Sequence, residues 1–151
     1  MENQIYKTMD PKNPNIIIFT DEYGNYAKVD ELPYLSTMMI EFRHCHPDIP
    51  VAEILDIYVH PQYRKQRFGS ALIQAIVSRY KSRAILTLVG AHEREYPELD
   101  EENIPEIISK LIPFYEKNGF ISVNNIFGTY NNFEPMLYNN NWYGLLVSNE
   151  L

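Results

Sequence analysis

The chain has 151 residues, is 45% hydrophobic and 22% charged, and carries a formal net charge of -7 at pH 7. That length buries a real core in one domain, and that balance argues against a disordered chain. The acidity argues against a nucleic-acid partner, whose phosphates demand clustered Lys and Arg. It favours cationic partners, because charge steers encounters.

No apolar run approaches the about 18–20 residues that span a bilayer, so no membrane association is expected. The opening "MENQIYKTMDPKNPN" lacks the basic-then-apolar layout of a leader. The single cysteine, Cys45, has no internal partner and fits a reducing compartment. These features predict one cytoplasmic domain over residues 1–151.

Taken in chain order, "NIIIFTD" and "YAKVDE" flank Tyr23-Gly24-Asn25, which predicts a hairpin because Gly and Asn tolerate positive φ. "TMMIEFRHC" and "VAEILDIYV" flank "HPDIP" and predict a second antiparallel pair. Phe68, Leu72, Ile73, Ile76, Val77 and Tyr80 recur at helical spacing, and "RAILTLV" follows as a strand. After the acidic connection "GAHEREYPELDEEN", a stripe of Ile104, Ile107, Ile108, Leu111, Ile112 and Tyr115 predicts a second helix. Asn103 is placed to cap that helix and Gly119 to end it, while Pro113 should kink or shorten it. "FISVNNIF" and "EPMLYNN" read as the last strands. The order predicts a mixed α/β fold, with helices packed on a sheet.

"VHPQYRKQRFGSALI" concentrates charge at one point of an acidic chain, with Arg64, Lys65 and Arg67 on the turn from strand to helix. A helix N-terminus leaves backbone N–H groups without partners and adds partial positive charge, so it is a ready anion site. Gly69 lets the backbone approach a phosphate closely. The ligand that best suits this charge is a polyphosphate; the bland alternative is a solvated turn.

"IYVHPQYRKQRFGSALIQAIV" resembles the first signature of the GNAT superfamily of N-acetyltransferases: Arg or Gln, two residues, Gly, one residue, then Gly or Ala. Arg64 fills the first position and Gly69 the last, while Arg67 replaces the first glycine. "PFYEKNGF" resembles the second signature, an aromatic-Tyr segment before Gly-Phe. Together the signatures cover a core of about residues 52–120. The resemblance implies a GNAT fold, a twisted mixed sheet of about six or seven strands with flanking helices. The stretch before Glu53 looks too strand-rich for the usual pair of N-terminal helices. The resemblance also implies acetyl-coenzyme A as acyl donor, with no metal, its pyrophosphate held by Arg64, Lys65, Gln66, Arg67, Phe68, Gly69 and Ser70. Main-chain groups of Ile57, Tyr58 and Val59 would hold the pantetheine arm. If position 67 takes positive φ, a non-Gly residue there costs on the order of 1 kcal/mol. The reading preferred here is negative φ, with the Arg67 side chain free to reach the phosphates.

The implied reaction is transfer of an acetyl group to a primary amine of a small molecule or a protein. An amine of pKa about 10.4 is only about 0.04% neutral at pH 7, so a base must assist. The resemblance puts that base at Glu53, with Asp56 and Glu41 as weaker rivals. Strand alternation predicts Glu53, Leu55, Ile57 and Val59 on one face and Asp56 with Tyr58 on the other. Tyr115 is implied as the acid that protonates the departing thiolate, since a phenol stays protonated at neutral pH. Its plain alternative is a core tyrosine.

Arg79, Lys81 and Arg83 end the first helix, where cations are favourable without a ligand; a 3′-phosphate of coenzyme A is the functional alternative. "HCHPD" lacks the paired spacing of a zinc site. Where members of the family often carry an Asn seven positions before the tyrosine, this chain has Ile108. That departure and Arg67 keep a second reading open, a catalytically weak or inactive module that binds acyl-CoA or a protein partner. Monomer and homodimer both remain open.

Overall fold

The computed structural model describes residues 4–32, 50–91, 100, 102–124 and 132–142. Its elements are β1 (Tyr6–Met9), β2 (Ile16–Thr20), β3 (Tyr26–Leu32), β4 (Val51–Tyr58), a 3-10 turn (Pro61–Tyr63), α1 (Phe68–Arg79), β5 (Ala84–Val89), α2 (Ile104–Lys117), β6 (Phe120–Ser122) and β7 (Glu134–Tyr138). The strands form a seven-stranded sheet of order β1-β2-β3-β4-β5-β7-β6. This is the mixed fold with flanking helices that the resemblance implied. "TMMIEFRHC", "HCHPD" and Glu41 lie outside the described residues, as does most of the acidic connection. The strand expected to pair with "TMMIEFRHC", β4, pairs antiparallel with β3 over its length.

The chain divides into two compact units, residues 1–35 with 48–85, and residues 36–47 with 86–151. In the first, β1, β2, β3 and β4 form an antiparallel meander. The β2–β3 hairpin turns at Gly24 with φ 84°. One face of this meander carries Ile17, Phe19, Ala27, Val29 and Ile54, all buried. Helix α1 packs on β2 and β4 and supplies Leu72, Ile73 and Ile76, all fully buried. Each such side chain stabilises the fold by roughly 1.5–3 kcal/mol. Phe19 meets Tyr80 edge-on at 6.2 Å. Arg83 locks the far end of the meander, its Nη1 donating to the carbonyls of Leu32 and Val51 at 3.0 Å each. A third partner, Glu31, lies 3.9 Å away.

In the second unit, β7 pairs antiparallel with both β5 and β6. Phe120, Val123, Met136 and Leu137 are buried there, with Ile108 of α2 at 6% exposure. Two expectations on α2 are corrected, the cap at Asn103 and the shortening at Pro113. Asn103 sits at the N-cap position with φ -95° and its side chain caps nothing. Asp100 does that work instead, its Oδ1 accepting from the amides of Glu102 and Asn103 and its carbonyl from Ile104. Pro113 does not shorten the helix, which runs on to Lys117; it removes one donor but fits the helical φ. The stop comes at Gly119, with φ 93°, whose amide bonds the Glu116 carbonyl at 3.0 Å.

Candidate functional site

The register of β3 against β4 slips between Lys28 and Val29, so that Val29 faces Ile54 while Lys28 faces Asp56. Leu55 is the extra residue, a β-bulge, and its side chain is exposed. A bulge inserts one residue into one strand and reverses the alternation beyond it. Glu53 therefore does not share a face with Ile57, as simple alternation predicted. It shares one with Asp56 and Tyr58, opposite Asp30, Lys28 and Tyr26 respectively. Ile54 and Ile57 take the other, α1-covered face, opposite Val29 and Ala27. Glu53 is thus a polar-face residue rather than an acid among aliphatics.

That polar face is a ladder of three cross-strand pairs. Tyr26 and Tyr58 pack at 5.6 Å, with the Lys28 ammonium 5.9 Å from the Tyr26 ring. Asp56 lies opposite Lys28, and Glu53 opposite Asp30. Like charges placed directly opposite each other are unfavourable. Burial, then the neighbouring Asp30 carboxylate, pushes the Glu53 carboxyl above the ordinary range. Burial alone raises Asp30.

After β4 the chain turns sharply. The Val59 carbonyl accepts from Arg64 Nε at 3.0 Å, and the Gln62 carbonyl accepts from Gln66 Nε2 at 3.0 Å. Two side chains of the cationic segment therefore brace their own turn, and the carbonyl of Val59 is already engaged. φ is positive at Lys65 (61°) and at Arg67 (70°) and not at Gln66 or Phe68. This overturns the expectation of negative φ at Arg67; a non-Gly residue holds the left-handed position, at a cost of about 1–2 kcal/mol. The reason is local: the turn must reverse from β4 into α1 within a few residues, and Arg67 is the N-cap at which the helix starts.

Turns in which the sign of φ alternates are a backbone geometry from which anion-binding concavities are built. From Lys65 to Ser70, none of the six amides donates a hydrogen bond among the described residues, and the N-cap has no side-chain partner. The side chains of Arg64, Lys65 and Arg67 are exposed around them, Ser70 is half-buried and Gly69 is buried. One short segment thus brings together six donors, a helix N-terminus and three cations.

The rest of the sequence-derived list divides between the units. Glu53, Ile57, Tyr58, Val59 and the turn Arg64–Ser70 belong to the first. Tyr115 belongs to the second, half-buried on α2, packed edge-on against Phe114 at 5.1 Å and Phe120 at 5.8 Å. Of the cations expected to end α1, only Arg79 lies in it; Lys81 and Arg83 follow the helix, and Arg83 is structural. Arg79 lies 5.6 Å from the Tyr80 ring. Sequence reasoning missed Asp30, whose position depends on strand register. It also missed Asn25, which reaches the turn from the hairpin. No group of three or more His, Cys, Asp or Glu able to hold a metal occurs among the described residues. Among those residues, no helix is long and apolar enough to cross a membrane.

These features agree with a comparison to known proteins. The model of the acetyltransferase (GNAT) domain matches residues 31–122. That is more than half of the chain, and the chain belongs to the GNAT acetyltransferase family. Two solved structures of NAA60 from Arabidopsis thaliana resemble it in fold. One, in complex with a bisubstrate analogue, is 17% identical over 83% of this chain and 77% of that chain, with a TM-score of 0.53. The other, in complex with acetyl-CoA, is 18% identical over 84% and 76%, with a TM-score of 0.51. No curated protein matches the sequence significantly.

Proposed function

We propose that the protein is an N-acetyltransferase that moves an acetyl group from acetyl-CoA to a primary amine, with residues 1–151 acting as one catalytic domain. The observation that carries this reading is the run of six amides at Lys65–Ser70 that have no partner among the described residues, beside three exposed cations. A diphosphate suits that cradle, since each oxygen can accept from main-chain donors whose charge the helix terminus reinforces. A structural neighbour, NAA60, is solved in complex with acetyl-CoA. Ile57, Tyr58 and Val59 are the main-chain groups assigned to the pantetheine arm.

In this scheme the neutral amine attacks the thioester carbon, a C–N bond forms, and the carbonyl oxygen takes the negative charge. Glu53 accepts the proton lost by the nitrogen. Its raised pKa suits that role, because a base works best when its pKa approaches the operating pH. The C–S bond then breaks and Tyr115 donates its phenolic proton to the thiolate, to be reprotonated from water. Products are the amide and free coenzyme A; Glu53 passes to solvent the equivalent of the proton that Tyr115 regains, so transfer to the neutral amine releases none. The acidic partner Asp30 favours a cationic acceptor, whose ammonium proton passes to solvent before attack and leaves the neutral amine beside Glu53.

A second reading, a module that binds acyl-CoA or a protein partner without turnover, draws on Ile108. Its side chain is buried in the core, where many family members carry Asn. Calorimetric titration with acetyl-CoA, followed by a thiol-release assay over a panel of amines, separates the two. Binding with transfer supports the enzyme; binding without transfer to any amine supports the module. No heat with acetyl-CoA would remove the enzyme and the acyl-CoA-binding module, and leave only a module that binds a protein partner.

A further inference from the structure

We propose that the β2–β3 hairpin loop, Asp21–Asn25, is a brace that holds the phosphate turn in its binding shape, with Asn25 and Tyr23 as positioning residues that set acetyl-CoA affinity. The affinity claim rests on the functional reading above; the brace itself rests on contacts alone.

Asn25 has 0% exposure, and its amide is used at both ends. Its Oδ1 accepts the His60 amide at 2.8 Å, at the residue where β4 gives way to the turn. Its Nδ2 donates to Asp21 Oδ2 at 2.8 Å. Asp21 is itself buried, and its Oδ1 accepts from the amides of Tyr23 at 2.8 Å and Asn25 at 3.1 Å. Thr20 Oγ1 donates to the Asn25 carbonyl at 3.1 Å. A buried amide with fixed partners on both sides has one orientation, so the loop cannot shift without moving His60.

Tyr23 makes the second grip. Its ring lies 4.9 Å from Tyr63 and 5.3 Å from Phe68, and those two rings are 5.3 Å apart. Tyr63 precedes the left-handed residues Lys65 and Arg67, and Phe68 follows them. The hairpin therefore holds the turn at its entry, through His60, and on both flanks, through the ring cluster. A turn with two non-Gly residues at positive φ is strained and persists only where its surroundings over-determine it. The brace supplies that constraint. Tyr23 is nevertheless 44% exposed, more than packing alone would leave a core aromatic.

The turn contains three trypsin sites, Arg64, Lys65 and Arg67, which report its opening directly. Asn25→Ala, Tyr23→Ala and Tyr23→Phe are compared with the unaltered protein for cleavage at these bonds, read by mass spectrometry, and for calorimetric affinity toward acetyl-CoA. Asn25→Ala and Tyr23→Ala should raise cleavage at the turn about tenfold and weaken acetyl-CoA about tenfold. Tyr23→Phe should restore both, because it keeps the ring. Unchanged turn cleavage in both alanine variants, or cleavage that rises equally along the whole chain, would overturn the brace. Selective opening with unchanged affinity would overturn the link to binding. If the unaltered protein gives no heat with acetyl-CoA, the functional reading and the affinity claim fall together, and the cleavage rates still decide the brace.

Discussion

Glu53 faces Asp30 directly across the β3–β4 ladder, two carboxyl groups on one face of the sheet with neither placed opposite a cation. Both are held above their usual pKa. Asp30→Asn removes the charge that adds to burial at Glu53, so the Glu53 carboxyl moves back toward its ordinary range. If Glu53 is the base, the acid limb of the rate–pH profile should move to lower pH. A limb that stays in place would exclude this coupling.

The same pair makes a stability prediction with a definite sign. A carboxyl whose folded pKa is raised contributes stability below its unfolded pKa and loses it as pH rises through the folded value. Asp30→Asn should therefore raise the melting temperature near neutral pH. The gain should shrink as pH falls and the two groups take up protons in the parent protein. Thermal melts across pH test this; a gain of equal size at every pH would contradict it.

Tyr115→Phe keeps the ring that packs on Phe114 and Phe120 and deletes the phenolic hydroxyl with its proton. General acid catalysis contributes about 10²–10⁴-fold, so turnover should fall within that range while acetyl-CoA binds as before. Unchanged turnover would remove Tyr115 from the chemistry.

Arg67→Gly relieves a non-Gly residue at φ 70° and removes an exposed charge, while leaving the main-chain amides in place. Because an exposed charge pair contributes only about 0.2–1 kcal/mol, acetyl-CoA affinity should drop by less than about sixfold. A loss of a hundredfold would show that the guanidinium, not the backbone, holds the phosphates.

Two glycines at positive φ should respond differently to alanine. At Gly119 (φ 93°) an added Cβ would lie 2.9 Å from Tyr138 Cε1, whereas at Gly24 (φ 84°) it meets nothing within 4 Å. Gly24→Ala should cost only the conformational term, about 1 kcal/mol. Gly119→Ala should cost that and the displacement of Tyr138, whose ring packs on Phe120 at 5.5 Å. Equal losses in chemical denaturation would refute the steric argument.

Much of this site was legible in the residues. The cations of Arg64–Arg67, the apolar stripe of α1 and the Gly119 stop are local signals, and the β2–β3 hairpin, α1, β5 and α2 formed where their patterns placed them. By contrast, β1 was not foreseen, and the strand read in "FISVNNIF" covers Phe120–Ser122. Position 67 was misjudged because the preference of an isolated arginine for negative φ gives way to the reversal that the turn must make. Asn103 lost the cap to Asp100 because either side chain suits the role by type, and only the path of the preceding chain selects one. Glu53 was put on the wrong face because one extra residue, Leu55, inverts a period of two.

The order of polar and apolar residues was enough to specify the elements, the charged turn and the family, since these depend on neighbours a few positions apart. The tertiary structure alone decided which groups meet across strands: Asp30 with Glu53, Asn25 with the His60 amide, Tyr23 with both flanks of the turn. Register and bulges arise from packing the β1–β4 meander against α1, and no single segment carries that information.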